Sequence, residues 1–431
     1  MSNRRGLAWW SAAGGLAIAG ILAEAVRPVA PAVGEVATDL TRFSPDVLAA
    51  VGDYLAERRA AAVGALAMSV AVPAWLLLSA PGRRGMERLG AWGSPARGGG
   101  AVAGAVSAMT SLAILPFGVY AGFVHEQRWG FSTQSLLEWL RDRAIRDGLA
   151  ALVAVVLAVV FVWFRRRWPD TWHLRLTLAG TALTGLLVLV YPVVIQPLLL
   201  STQPLEAGET RTAVETVLAQ AGAEDVEILV GDASRRTTKV NAFVTGIGPS
   251  RQVVLFDTLL ELPPEQVAVV VAHELAHREH ADVPRAVLLS ATGLLAGLLL
   301  LRWWLHAERA RGGRVGDAQA VVMLLLVIAA GQVVTAPAAN WVSRRAEAAA
   351  DHRALELTEA AGRFIATQRT FVVRDLADPT PPWWVTALWG THPSPSDRID
   401  AAVVFARAHE LPVPDRPELV AEEPAPPEGP G

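Results

Sequence analysis

Five consecutive residues, His273-Glu274-Leu275-Ala276-His277, hold the most chemically loaded spacing in the chain. They follow Pro263 and Pro264, with Glu265 in the first turn, which is how a helix begins. Residues four apart share a helix face, so His273 and His277 can aim imidazole nitrogens at one ion. Zinc suits two imidazoles plus a carboxylate, with a fourth position left to water. Glu274 is turned about 100° around the helix from His273. That places it to reach the water rather than the ion. Zinc lowers the pKa of such a water towards about 7, and a neighbouring carboxylate can take its proton as it attacks a peptide carbonyl. The motif follows apolar Val269, Val270, Val271 and Ala272. Burying two imidazoles and a carboxylate in that setting is costly without a metal or a partner. The bland alternative is a polar surface helix with two histidines by accident.

The chain has no cysteine, which excludes a disulfide framework, a thiol nucleophile and a thiolate metal site. A third metal ligand must therefore be His, Asp or Glu. His280 is a local candidate, with Glu279 and Asp282 beside it. A distant candidate is Glu347, in the Ala-rich helical stretch from Ser343 to Asp351. Glu347 and Asp351 are four apart and share a face. One can ligate while the other accepts the free N–H of a ligand histidine. The competing reading is a solvated charged face in which Arg344 and Arg345 pair with these acids.

The elements that must position these groups are mostly apolar. Of 431 residues, 52% are hydrophobic and 18% charged, against about 25% charged in an ordinary soluble domain. The mean hydropathy is +0.34. The excess sits in runs near the ~20 residues that cross a bilayer. Seven qualify: Leu7–Val26, Ala60–Ala80, Ala101–Val124, Gly148–Phe164, Leu174–Leu200, Ala286–Leu305 and Ala320–Asn340. Tryptophans mark their ends, as interfacial rings do: Trp9 and Trp10, Trp163 and Trp168, Trp303 and Trp304, and Trp341. The first run follows Arg4 and Arg5 but lacks a small-residue cleavage site, so it reads as a retained span. The pattern excludes a simple soluble enzyme and a disordered or fibrous chain. A net charge of −3 argues against a nucleic-acid partner.

Two segments are not membrane-like. Residues 201–285 read as a small α+β insert. It has a helix over Glu209–Gly222, strands at Val226–Val230, within Lys239–Gly248 and at Arg251–Asp257, and then the helix of the motif. Residues 341–410 read as largely helical. The expected organisation is a membrane region over 1–200 with five spans, the insert with the motif over 201–285, and spans six and seven over 286–340. A C-terminal segment with the third ligand follows over 341–410. The tail 411–431 is rich in Pro and Glu and is expected to be disordered.

Four stretches carry a family resemblance. They are Asn241–Gly246, His273–His277, Arg345 to Asp351 as R-x-E-x-x-x-D, and Thr391-His392-Pro393-Ser394-Pro395-Ser396-Asp397-Arg398-Ile399. In this order the chain resembles the membrane zinc metalloproteases that include CAAX prenyl protease type 1 and the HtpX-like proteases. The match covers about 201–410, and the five N-terminal spans resemble the prenyl protease branch by number. The resemblance implies a mainly α, polytopic membrane protein with about seven transmembrane helices and a small α+β zincin-type metalloprotease domain. It implies one zinc per chain on His273, His277 and Glu347, with Glu274 as general base and Asp351 orienting a ligand histidine. Asn241 and Ala242 would belong to an edge strand that pairs with substrate backbone. His392 and Arg398 would stabilise the oxyanion or gate the site. The expected partners are the bilayer and a peptide or protein substrate: membrane-associated, C-terminally lipidated, or a misfolded membrane protein. The expected location is a bacterial cell membrane. Alternate arginine-rich loops, such as 81–100 and the one after Phe164, would put 201–285 on the outer face. The family places its zinc domain on the cytoplasmic side. The other class of protein that fits is a non-proteolytic metal-binding scaffold or transporter. Against it, the spans carry almost no ionisable residue beyond Glu24.

Overall fold

The computed structural model describes residues 42–246 and 251–413. The expected first span, Leu7–Val26, and nearly all of the tail lie outside the described residues. Six described helices are long and apolar enough to cross a membrane: α1 (Pro45–Leu78), α2 (Pro95–Arg128), α3 (Leu136–Arg167), α4 (Trp172–Val194), α7 (Asp282–Ala310) and α8 (Asp317–Thr358). They correspond to the expected spans two to seven. The protein is a mainly helical, multi-pass membrane protein with one small sheet.

Local chemistry sets the helix starts. Ser44 and Ser94 each accept a backbone N–H of the following turn, and a proline opens both helices. α3 begins with a reciprocal capping box between Ser135 and Glu138. Several helices run well past their apolar stretches. α8 has 42 residues, about 63 Å at 1.5 Å per residue, against a hydrocarbon core of about 30 Å. Its C-terminal half leaves the membrane and carries Glu347 and Asp351 into the polar part of the protein.

That polar part is built on four strands: β1 (Thr202–Pro204), β2 (Glu227–Gly231), β3 (Ala242–Thr245) and β4 (Gln252–Phe256). Their order is β1-β2-β4-β3. β2 pairs with β4 in parallel, and β3 pairs with β4 antiparallel with Val244 opposite Val253. β3 is therefore an edge strand. Helix α5 (Glu209–Gln220) stops where Gly222 takes a φ of +55°, the left-handed turn that glycine supplies past a helix end. The motif helix α6 (Pro264–Glu279) packs between α5, β3 and the protruding half of α8. Val253, Val254 and Leu255 of β4 and Val267 and Val271 of the helix itself are fully buried. Helices α9 (Ala361–Asp375), α10 (Trp383–Trp389) and α11 (Pro395–Ala408) complete the C-terminal segment.

The described residues hold two hydrophobic cores. One joins the sheet, α5, α6, α9 and α11 with Val47, Val51 and Tyr54 from the first turns of α1. The other lies among the membrane helices and includes Leu76 from the far end of α1. Strand β1 is absent from the sequence expectation. It has three residues, one of them Pro204, and it tolerates proline because it is an edge.

Candidate metal centre

Two helices that meet at an angle bring the polar groups together. α6 supplies His273 and His277 from one face, and the protruding half of α8 supplies Glu347. His273 Nε2 lies 3.1 Å from Glu347 Oε2 and 3.3 Å from His277 Nε2. His277 Nε2 lies 3.5 Å from Glu347 Oε1. One ligand atom from each of the three residues lies within 4.8 Å of the other two, so the group can hold a metal ion. His273 and Glu347 are buried at 7% and 9% exposure.

The surrounding acids fix which nitrogens face the centre. His277 Nδ1 hydrogen-bonds Asp282 Oδ2 at 2.8 Å, and His273 Nδ1 lies 2.8 Å from Asp351 Oδ1. Both Nε2 atoms are thereby turned inward. With the Nδ1–H groups turned to the acids, neutral rings leave both Nε2 atoms bare, their lone pairs opposed to each other and to the Glu347 carboxylate. A cation between them resolves the conflict. Burial disfavours charge on both imidazoles, yet Asp351 at His273 and Asp282 at His277, with Glu347 shared, hold both above the ordinary imidazole range. The centre attracts positive charge, and the donor set suits a divalent metal.

Asp351 is 3% exposed and is held by Arg398. Arg398 donates from Nε to Oδ2 at 2.8 Å and from Nη2 to Oδ1 at 2.5 Å, a bidentate clamp across from α11. His392 sits on the rim, exposed, with Nε2 3.2 Å from Glu347 Oε2. Glu274 is half-buried beside the centre, and burial raises its carboxyl above the usual range against the two flanking imidazoles. Its Oε2 accepts the Val244 N–H of β3 at 3.2 Å. Asn241 Oδ1 accepts the next outward donor, the Ala242 N–H, at 2.9 Å. A cavity of about 330 Å³ opens from these groups, with His273, Glu274, Asn241, Ala242, His392 and Arg398 in its wall.

His273, Glu274, His277, Glu347, Asp351, His392, Arg398, Asn241 and Ala242 thus meet in one place. Of the local alternatives, His280 is not in the metal-competent group, and Glu279 pairs with Arg353 at 2.8 Å. Asp282 is not in it either, but it orients His277. From the sequence alone, Asp282 stands only as a neighbour of the ligand candidate His280. Its signal was its place, five residues after His277 at the first position of the next helix.

A bundle of membrane helices with a two-histidine, one-glutamate centre on its polar part defines a membrane metallopeptidase. Two family models agree. Residues 204–404 match "Peptidase family M48", and residues 69–201 match "CAAX prenyl protease N-terminal, five membrane helices". The chain belongs to the M48 metallopeptidases, in the branch similar to CAAX prenyl protease. It is similar to the metalloprotease YhfN of Bacillus subtilis, 28% identical over 304 residues, which are 69% of this chain and 71% of that protein. It is also similar to CAAX prenyl protease 1 of Saccharomyces cerevisiae, 28% identical over 191 residues, 43% of this chain and 42% of that one. The match to the yeast protease thus spans about two-fifths of its length. The crystal structure of S. mikatae Ste24p superposes with a TM-score of 0.67, covering 92% of this chain and 96% of that one. At 19% identity that likeness is one of fold.

Proposed function

We propose that the protein is an integral-membrane zinc endopeptidase. The observation that carries this reading is the closeness of the inward groups: the two Nε2 atoms are 3.3 Å apart, and the Glu347 carboxylate sets Oε2 3.1 Å from His273 Nε2 and Oε1 3.5 Å from His277 Nε2. Ligands at about 2.0–2.1 Å from a tetrahedral zinc stand about 3.3–3.4 Å from one another. His273, His277 and Glu347 would hold the ion. A zinc there supplies Lewis acidity, which activates water and polarises a peptide carbonyl.

The chain's own residues supply the rest. Glu274 takes the proton from the attacking water and passes it to the leaving amine, and its raised affinity for a proton suits that exchange. Asp282 and Asp351 keep the Nε2 atoms of His277 and His273 turned inward. Arg398 acts through Asp351, since Nε and Nη2 are both spent there. His392 stands on the open rim, placed to donate to the developing oxyanion. The outward N–H groups of Ala242 and Val244 take substrate backbone carbonyls, so the peptide lies along β3. The relatives named CAAX prenyl protease 1 support membrane-associated or C-terminally lipidated peptides as substrates, with misfolded membrane proteins the other class to be compared.

Replacing Glu274 with Gln tests the mechanism. With zinc bound, peptide cleavage should fall by about 10²–10⁴-fold. Undiminished cleavage would end this reading. Cleavage of a farnesylated peptide against its unmodified twin separates the substrate classes.

A further inference from the structure

The cavity beside the metal centre has a second polar end. Helix α9 lines it with Phe364, Gln368, Phe371 and Asp375, a spacing of four, three and four that keeps them on one face. Leu259 and Val269 add to its apolar wall. Within it, two acceptor oxygens are buried with no hydrogen-bond partner among the described residues: Gln368 Oε1 and Asp375 Oδ1. Gln368 as a whole is 2% exposed.

Both oxygens are costly where they stand. Asp375 is the last residue of α9, where a carboxylate opposes the helix dipole. The two nearest cations are committed elsewhere. Lys239, the only lysine in the chain, lies 2.5 Å from the Tyr54 hydroxyl, 3.2 Å from Glu126 and over the Phe131 ring. Arg374 donates to Glu261 and to the Thr238 carbonyl. The Val240 N–H donates to Asp375, whose Oδ1 has no partner among the described residues. Burial accordingly pushes the Asp375 carboxyl up to about 7, against the pull of Lys239 and Arg374. A buried acceptor without a donor is expensive, and a donor brought by a ligand removes that cost.

The shape of the pocket specifies the ligand. Its flanks are apolar and aromatic, and its end holds one carboxyl acceptor, which a cation would hold ionised, and one amide that can turn either way. That matches a long side chain with an aliphatic stem and a cationic head. At about 330 Å³ the space is at the small end for ligand sites and holds a side chain or two, not a folded segment. Glu274 and Asn241 share the wall, so the side chain belongs to a residue close to the bond that is cut.

We infer that Asp375 and Gln368 form a specificity subsite that takes an arginine or lysine side chain of the bound peptide. This rests on the peptidase reading above. The test uses the full-length protein with zinc and fluorescence-quenched peptides in which one residue is Arg, norleucine or Glu, moved through the positions flanking the cleaved bond. At one position, kcat/KM for Arg should exceed that for norleucine by about tenfold, the effect of one charge-assisted hydrogen bond. In Asp375→Asn the ratio should fall to about one, and in Asp375→Arg the preference should turn towards Glu. A ratio near one at every position in the wild type overturns the proposal, and so does a ratio that survives Asp375→Asn. Binding of the same peptides to the Glu274→Gln protein, read by fluorescence anisotropy, needs no turnover. There an Arg-to-norleucine ratio in Kd near one also overturns the subsite. Cleavage undiminished by Glu274→Gln would instead overturn the peptidase mechanism alone.

Discussion

Removing the Asp351 carboxylate should separate metal binding from stability. Asp351 lies 2.8 Å from His273 Nδ1 and takes both donors of the Arg398 fork, at 3% exposure. In Asp351→Ala the guanidinium stays buried without its paired carboxylate, and breaking a buried pair in this way costs about 3–5 kcal/mol. His273 also loses the group that turns its Nε2 inward, and loss of such an outer partner lowers metal affinity by about 10–100-fold. The two effects have different cures. Asp351→Leu combined with Arg398→Met replaces the pair by apolar groups of similar volume, so most of the stability should return. The metal affinity should not, because nothing then orients His273. Denaturant melts of the three proteins, with zinc affinity measured by competition against a chromogenic chelator, supply both axes. If Asp351→Ala keeps both its stability and its zinc affinity, Asp351 has no outer role. If the double variant recovers zinc affinity together with stability, the proposed orientation of His273 is wrong.

Asp282→Asn keeps the shape but loses the charge that holds His277 Nδ1, and should weaken zinc binding by about tenfold in the same competition assay. Stripping the ion with 1,10-phenanthroline should abolish cleavage and lower the melting temperature. Zinc at about 1,000 times its Kd should restore about 4 kcal/mol and the activity, by calorimetry and peptide assay in parallel. Val244→Pro removes one outward N–H from an edge strand that tolerates proline. It should reduce kcat/KM by about fivefold to tenfold while the zinc content, measured by plasma emission, stays at one per chain.

The histidine pair is fully legible in the sequence, because a spacing of four on a helix fixes two side chains whatever the rest of the fold does. Glu347 is not legible in the same way. It lies 74 residues from His273, and only the packing of α8 across α6 prefers it over His280 or Asp282. The family motif, not the spacing, decides it in the sequence. The spans are legible as apolar runs, but their ends are not. Ala60–Ala80 marks the apolar part of a helix that runs Pro45–Leu78, because its first turns bury Val47, Val51 and Tyr54 against the polar core. Hydropathy averages cannot see a helix that changes partners midway. The partners of Glu274 and the empty acceptors at Gln368 and Asp375 are invisible for a similar reason: each is defined by atoms from distant elements.

Neither of the outward donors on β3 is idle, since Val244 serves Glu274 and Ala242 serves Asn241. A peptide that lies alongside β3 therefore exchanges hydrogen bonds and does not add to their number. Each is worth about 0.5–1.5 kcal/mol net, and in an exchange even that cancels. Backbone adhesion to the strand is then nearly silent thermodynamically, and an arbitrary extended segment, including one from a neighbouring copy, gains almost nothing by docking there. Discrimination passes to the side chains. On the proposed mechanism, the exchange at Val244 would also release the Glu274 carboxylate, so the arrival of a peptide backbone would arm the base.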